Sequence, residues 1–217
     1  MARQLLFKGT PKNVVGPELK AGDAAPEFAC VGAGLEVVTL ASTPKKARLF
    51  SVVPSLDTSV CSMQTKKFDE AIAALKDKVV LYTVSNDMPF AQKRFCTTEN
   101  LQNAVTLSDL HNGSFSKAFG VGLEGLPIPL MARSIFVVDK NDKVTYAEYV
   151  PEVTNHPNYD KALEAAEGRS VVTPSCRGSG GRGSCQAADD DSSQRTWRFS
   201  RVAIFRLGWS LALPGCG

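Results

Sequence analysis

Two near-continuous apolar runs of strand length, ARLFSVV at residues 47–53 and VVLYTVS at 79–85, constrain the fold of this chain most strongly. Such runs belong to buried strands rather than to a surface ribbon. Between them the period changes: Phe68, Ala71, Ile72 and Leu75 recur at helical spacing. The alternation continues with short strands at 28–31 and 37–40, a helix over 89–96, a strand at 105–107 and a short helix at 114–119. Strands at 134–139 and 144–150 flank Lys140-Asn141-Asp142-Lys143, a hairpin signature. An amphipathic helix is expected over 158–167, with Gly168 at its C-cap. At the other end, Gln4–Phe7 and Lys12–Pro17 bracket Lys8-Gly9-Thr10 as an N-terminal hairpin. Helix α-period and strand runs in turn define an α/β domain over residues 1–168.

Beyond Gly168 the composition shifts. Residues 1–168 carry all 14 lysines and are nearly neutral, with 18 Lys and Arg against 19 Asp and Glu. Residues 169–217 carry seven Arg against three Asp, with Gly, Ser and Arg dominating 175–184. That composition reads as an atypical, disordered C-terminal extension. Its last stretch holds Trp197, Phe199, Phe205 and Trp209 without a steady period. A near-neutral body gives no electrostatic case for nucleic acid or an anionic membrane as partner. No apolar run reaches the roughly 18 residues of a membrane span. Residues 1–20 show no secretory pattern, so a cytoplasmic setting is expected.

Chemistry centres on six cysteines: Cys30, Cys61, Cys96, Cys176, Cys185 and Cys216. No CxxC occurs, and the two histidines, His111 and His156, lie far in sequence from any paired cysteines, so neither a metal nor a cofactor is expected. In a reducing compartment a cysteine pair is more often redox-active than structural. Cys61 follows the strand at 47–53 and the turn Pro54-Ser55-Leu56-Asp57, in the first turn of the next helix. Asp57, Thr58 and Ser59 are all competent N-caps. Unpaired N–H groups and the positive end of the helix dipole favour a thiolate there, and the thiolate is the nucleophile. On local grounds Cys61 is equally well a small buried core residue. Cys30 reads as a core residue in a strand.

A wider pattern separates these alternatives. Pro54-Ser55-Leu56-Asp57-Thr58-Ser59-Val60-Cys61 resembles the Pro-x-x-x-Thr-x-x-Cys motif of the peroxiredoxins. Gly22-Asp23-Ala24-Ala25-Pro26-Glu27-Phe28 resembles that family's N-terminal signature. The segment from Asp87 to Cys96 (DMPFAQKRFC) resembles the resolving-cysteine segment of the thiol peroxidase subfamily, and Arg133 in Met131-Ala132-Arg133-Ser134 matches its active-site arginine. The resemblance runs over about residues 3–168 and implies a thioredoxin-like fold: a central mixed sheet flanked by helices, with the N-terminal hairpin.

By that resemblance Cys61 attacks a hydroperoxide and becomes a sulfenic acid, and Cys96 resolves it as an intramolecular disulfide. Arg133 would stabilise charge moving along the O–O bond; its alternative is a surface salt bridge, for which the start of the apolar strand SIFVV is a poor place. Thr58 would hydrogen-bond peroxide and sulfur, or serve as a plain N-cap. Pro54 would shield the sulfur from water as well as end the strand. Phe90 and Phe95 of the Cys96 helix are expected to face the core. A disulfide needs Cα atoms within roughly 7 Å, so helix segments would unwind if the cysteines stand apart. The resemblance further implies thioredoxin as reductant, a homodimer and a preference for alkyl hydroperoxides. A peroxide-sensing relay is the second reading and a non-catalytic binding module the third. Leu126-Pro127-Ile128-Pro129-Leu130 forms an apolar loop before Arg133 that would rim the substrate site.

Overall fold

The burial that the apolar runs demand is met by one central sheet. The structure is a computed structural model that describes residues 3–168. The elements are β1 (Arg3–Phe7), β2 (Thr10–Val15), β3 (Ala29–Gly32), β4 (Val37–Thr39), β5 (Ala47–Val52), α1 (Ser59–Ile72), β6 (Val79–Ser85), α2 (Pro89–Thr98), β7 (Ala104–Ser108), α3 (Ser114–Ala118), β8 (Gly122–Leu123), β9 (Leu130–Met131), β10 (Ser134–Val138), β11 (Val144–Tyr149) and α4 (Tyr159–Ala166). The expected tail, with Cys176, Cys185 and Cys216, lies outside the described residues.

Seven strands form the central sheet in the order β11-β10-β5-β6-β7-β3-β4. β5, β6 and β7 run parallel, and the other neighbours are antiparallel, so the sheet is mixed as expected. Parallel neighbours require crossovers, and α1 and α2 supply them. Side chains alternate between the two faces. Phe50, Tyr82, Phe136 and Val138 enter an aromatic cluster with Phe28, Phe115 and Phe119. Leu49, Leu81, Ile135 and Val137 meet Phe68 and Ile72 of α1 and the alanines of α4 on the other face. Coverage on both faces explains why these strands read as unbroken apolar runs.

Because β5 and β6 are parallel neighbours, their C-terminal ends lie on the same edge. The turn into α1 and the turn into α2 therefore leave the sheet side by side. Topology alone brings the Cys61 and Cys96 segments to one end of the sheet, where open α/β sheets hold their ligands.

The N-terminal hairpin forms around Lys8 and Gly9, both at positive φ (52° and 74°), as a tight turn of two residues requires. It does not stand alone. β8 and β9 extend it into a second sheet, β1-β2-β8-β9. Sequence reading missed these two strands because two-residue strands carry no period. Their placement matters, since β9 ends one residue before Ala132-Arg133.

Cys30 is a core residue in β3, as expected, and its thiol lies 3.8 Å from the Asp109 carboxylate. Burial first, and then Asp109, push this thiol far above the ordinary cysteine range. The stability it confers is complete below the pH at which an unfolded cysteine ionises, about 8.5. It is lost as pH rises above that value, because only the unfolded chain then releases the proton. Melting temperature between pH 7 and 10 should therefore fall less steeply in Cys30→Ala than in the parent.

Candidate active site

The geometry around Cys61 begins with Pro54. It has no N–H to continue the β5 ladder, so the strand ends and the chain turns. Ser55 O accepts from Thr58 N–H at 3.3 Å, and α1 starts at Ser59. Thr58 occupies the N-cap position with extended backbone, yet its side chain makes no capping bond. Its hydroxyl lies 2.8 Å from Cys61 Sγ and 3.2 Å from Ser55 O. The residue is placed as a cap, and its hydroxyl faces two acceptors, of which the sulfur is the nearer.

Cys61 is fully buried, in the first turn of α1. A second donor reaches its sulfur: Arg133 Nη2 at 3.3 Å. Arg133 is only 2% exposed, so the salt-bridge alternative does not hold at a surface. Its Nε donates to Val153 O (2.8 Å) and its Nη1 to Gln64 Oε1 (2.6 Å). Among the described residues no carboxylate lies within ion-pair distance of it. Guanidinium stays charged at any working pH, and burying an unpaired charge costs several kcal/mol. Of its described partners, only the Cys61 sulfur can carry the compensating negative charge.

Gln64 was not singled out from the sequence. It is fully buried, accepts from Arg133 and donates to Ser51 Oγ of β5 at 2.8 Å. It fixes the guanidinium against the sheet. A signal was present: Cys61, Gln64, Thr65, Phe68 and Ile72 form the inward stripe of α1, and a glutamine on an apolar stripe calls for a partner. Gln64→Leu leaves Arg133 Nη1 and Ser51 without this partner. If the site works as the peroxiredoxin resemblance implies, kcat/KM with hydroperoxide should fall by about tenfold or more, since small misplacements at a reacting centre are costly, while the chain stays folded.

A cavity of about 410 Å³ is lined by Phe7, Pro54, Thr58, Ile128, Leu130 and Arg133, among others; Cys61 is not in the lining, but Thr58 and Arg133, which meet its sulfur, are. Pro54 is buried and forms one wall. The hairpin tip and the apolar loop before Arg133 supply the others. A larger groove of about 640 Å³ crosses β11 but contains none of these residues.

Cys96 lies on α2, half-buried, with its sulfur 4.0 Å from Thr106 Oγ1. Cys61 and Cys96 are both free thiols. They border one small apolar cluster with Val53, Leu56, Phe95 and Leu101. Burial pushes the Cys96 thiol up, so in this arrangement its ionisation is disfavoured. Phe95 faces the core as expected. Phe90 does not: it is 60% exposed, because α2 buries only the face of Pro89, Gln92 and Phe95, and Phe90 points away from it.

A buried thiol at a helix N-terminus, met by a threonine hydroxyl and a buried arginine on a thioredoxin-like sheet, defines a cysteine-based redox protein. Comparison with known proteins agrees. The redoxin family profile matches residues 20–163. A thiol peroxidase of Halalkalibacterium halodurans is 53% identical over 163 residues, covering 75% of this chain and 96% of its own. A thiol peroxidase of Bacillus subtilis is 49% identical over 164 residues, covering 76% and 96%. The crystal structure of a peroxiredoxin-like protein from Aquifex aeolicus matches with a TM-score of 0.72 at 42% identity, covering 78% of this chain and 98% of that one. The chain belongs to the redoxin family.

Proposed function

We propose that Cys61 is the peroxidatic and Cys96 the resolving cysteine of a thiol-dependent peroxidase that reduces hydroperoxides. The observation that carries this reading is the buried, carboxylate-free guanidinium of Arg133 held against Cys61 Sγ. The peroxide enters the cavity beside Pro54. Cys61 thiolate attacks the distal oxygen, the S–O bond forms and the O–O bond breaks. The leaving oxygen takes up a proton as alcohol or water. Arg133 and Thr58 donate into the region where negative charge moves from sulfur to oxygen. Cys96 then attacks the sulfenic sulfur, a disulfide forms, and water leaves. Cys61 Sγ meets Thr58 and Arg133, and Cys96 Sγ meets Thr106 of β7, so each sulfur leaves its own partners before the disulfide closes, and in this reading both helix segments unwind locally to allow it. Once α2 opens, Cys96 loses the burial that disfavours its ionisation.

Thioredoxin returns the two electrons in this reading. The relatives' name requires a thiol reductant without specifying it. The apolar cavity walls suit alkyl hydroperoxides. Exposed apolar side chains at Met88, Phe90 and Ile128, which is 59% exposed, fit a surface covered by a second copy in a homodimer. Among the described residues no helix is long and apolar enough to cross a membrane. The three cysteines among the described residues are unpaired, which fits a reducing compartment such as the cytoplasm. Residues 1–168 are the working domain in this reading, with 169–217 an extension outside it.

NADPH oxidation coupled through thioredoxin reductase and thioredoxin to cumene hydroperoxide tests the assignment. Steady turnover in the parent, lost in Cys96→Ser while one hydroperoxide per chain is still consumed, is the expected result. Full turnover in Cys96→Ser would remove its resolving role. Oxidation of the parent without turnover by thioredoxin favours the relay.

A further inference from the structure

Asp87, at the junction of β6 and α2, ties together the two segments that bear the cysteines. Its carboxylate accepts from Ser55 Oγ and Leu56 N–H, each at 2.8 Å, in the loop that leads to Cys61. It also accepts from Ser85 Oγ at the end of β6, at 2.8 Å. Ser85 Oγ in turn accepts from Gln92 Nε2 of α2 at 2.9 Å, and the same buried amide donates to Leu107 O of β7. On the far side of α2 a second carboxylate, Asp69 of α1, accepts from the backbone of Asn103 and Ala104 at 2.8 and 2.7 Å. Residues 88–101, including Cys96, are thus suspended between two carboxylate anchors. Asp87 is the anchor that reaches the Cys61 loop, and through Ser55 it holds the carbonyl that Thr58 turns upon.

We infer that Asp87 is a positioning residue: it latches both cysteine segments in the closed, peroxide-reactive arrangement and so sets the rate at which Cys96 reaches oxidised Cys61. The inference rests on the two-cysteine reading above. The step it governs is balanced within the chain. The Cys96 sulfur attacks the Cys61 sulfur, the S–S bond forms as the S–O bond breaks, and the departing hydroxide leaves as water with the Cys96 proton. The closed state dominates before oxidation, so weakening the latch barely changes its population. The open state is scarce, and its population rises by the full factor. Hydrogen bonds to a carboxylate are worth about tenfold or more in such a ratio.

Asp87→Asn keeps the shape but places an amide donor where at least one N–H or O–H donor now points. Ser85→Ala removes one donor and the Gln92 link. Full-length parent and variants are reduced, mixed with hydrogen peroxide and quenched at intervals. Dimedone-trapped sulfenic acid, the Cys61–Cys96 disulfide and sulfinic acid are quantified by mass spectrometry. Disulfide closure is expected to be about tenfold faster in Asp87→Asn and faster by a smaller factor in Ser85→Ala. Sulfenic acid formation should stay within about twofold of the parent. The peroxide concentration that converts half of Cys61 to sulfinic acid should rise by the same factor as closure. A merely structural role would slow both steps in proportion to the folded fraction and leave their ratio unchanged, which would overturn the latch. So would closure in folded Asp87→Asn at or below the parent rate. If Asp87→Asn does not fold, Ser85→Ala decides by the same readouts. A parent that forms no Cys61–Cys96 disulfide overturns the two-cysteine reading and the latch with it.

Discussion

Cys61→Ser is expected to lower hydroperoxide turnover by at least about 10⁴-fold, because in the proposed mechanism it removes the nucleophile itself. Serine fits the site in size, and its hydroxyl still meets Thr58 Oγ1 and Arg133 Nη2. The alcohol does not ionise near neutral pH, so no anion stands opposite the guanidinium. Fold and cavity remain, but the buried guanidinium loses the one described partner that can carry a counter-charge, so melting temperature should fall. Steady-state assays with cumene hydroperoxide and hydrogen peroxide measure the loss. Turnover within tenfold of the parent in Cys61→Ser would place the chemistry on another residue.

Arg133→Met should reduce kcat/KM by about 10²–10³-fold, the usual cost of losing one donor aimed at developing charge. Methionine fills much of the same volume without the cation. The expected effect on stability is small, because two contributions oppose each other. Gln64 Oε1 and Val153 O lose their donor, while the desolvation cost of burying the guanidinium disappears. Arg133→Lys keeps the charge but not the planar fork that reaches Val153, Gln64 and Cys61 together. It should recover only part of the activity. Equal rates for the lysine and methionine variants would show that charge near Cys61 is not what Arg133 contributes. A methionine variant within about threefold of the parent would remove Arg133 from the site.

Much of this arrangement was legible in the sequence, for identifiable reasons. β5, β6 and β10 are buried on both faces, and two-sided burial writes itself as an apolar run. The place of Cys61 in the first turn of a helix was legible because a strand, a proline, a cap residue and a helical period follow one another; that it is more than a core cysteine was read only from the resemblance of residues 54–61 to the peroxiredoxin motif. Arg133 was legible because a cation at the mouth of SIFVV has no easy route to solvent. Less was visible where the determining contact is remote. β8 and β9 exist through pairing with β2 and have two residues each. Gln64 acquires its role from Ser51 and Arg133, 13 and 69 positions away in sequence. Phe90 read as a core residue because it is aromatic on a short helix. α2 turns a narrower face inward than its composition implies, and Phe90 faces out. Thr58 was read as a donor to peroxide and sulfur and as an N-cap, two readings that are compatible; its backbone sits at the cap position and its hydroxyl lies 2.8 Å from the sulfur.

The central claim, that oxidation at Cys61 is resolved by Cys96, is tested most directly by peptide mass mapping under non-reducing conditions. Reduced full-length chain is treated with one equivalent of cumene hydroperoxide and digested without reductant. A single dominant cross-link between the Cys61 and Cys96 peptides, absent from both Cys61→Ser and Cys96→Ser, is the predicted result. Cys61 recovered as a free thiol while another cysteine is oxidised would contradict the account, as would Cys61 joined to any other partner.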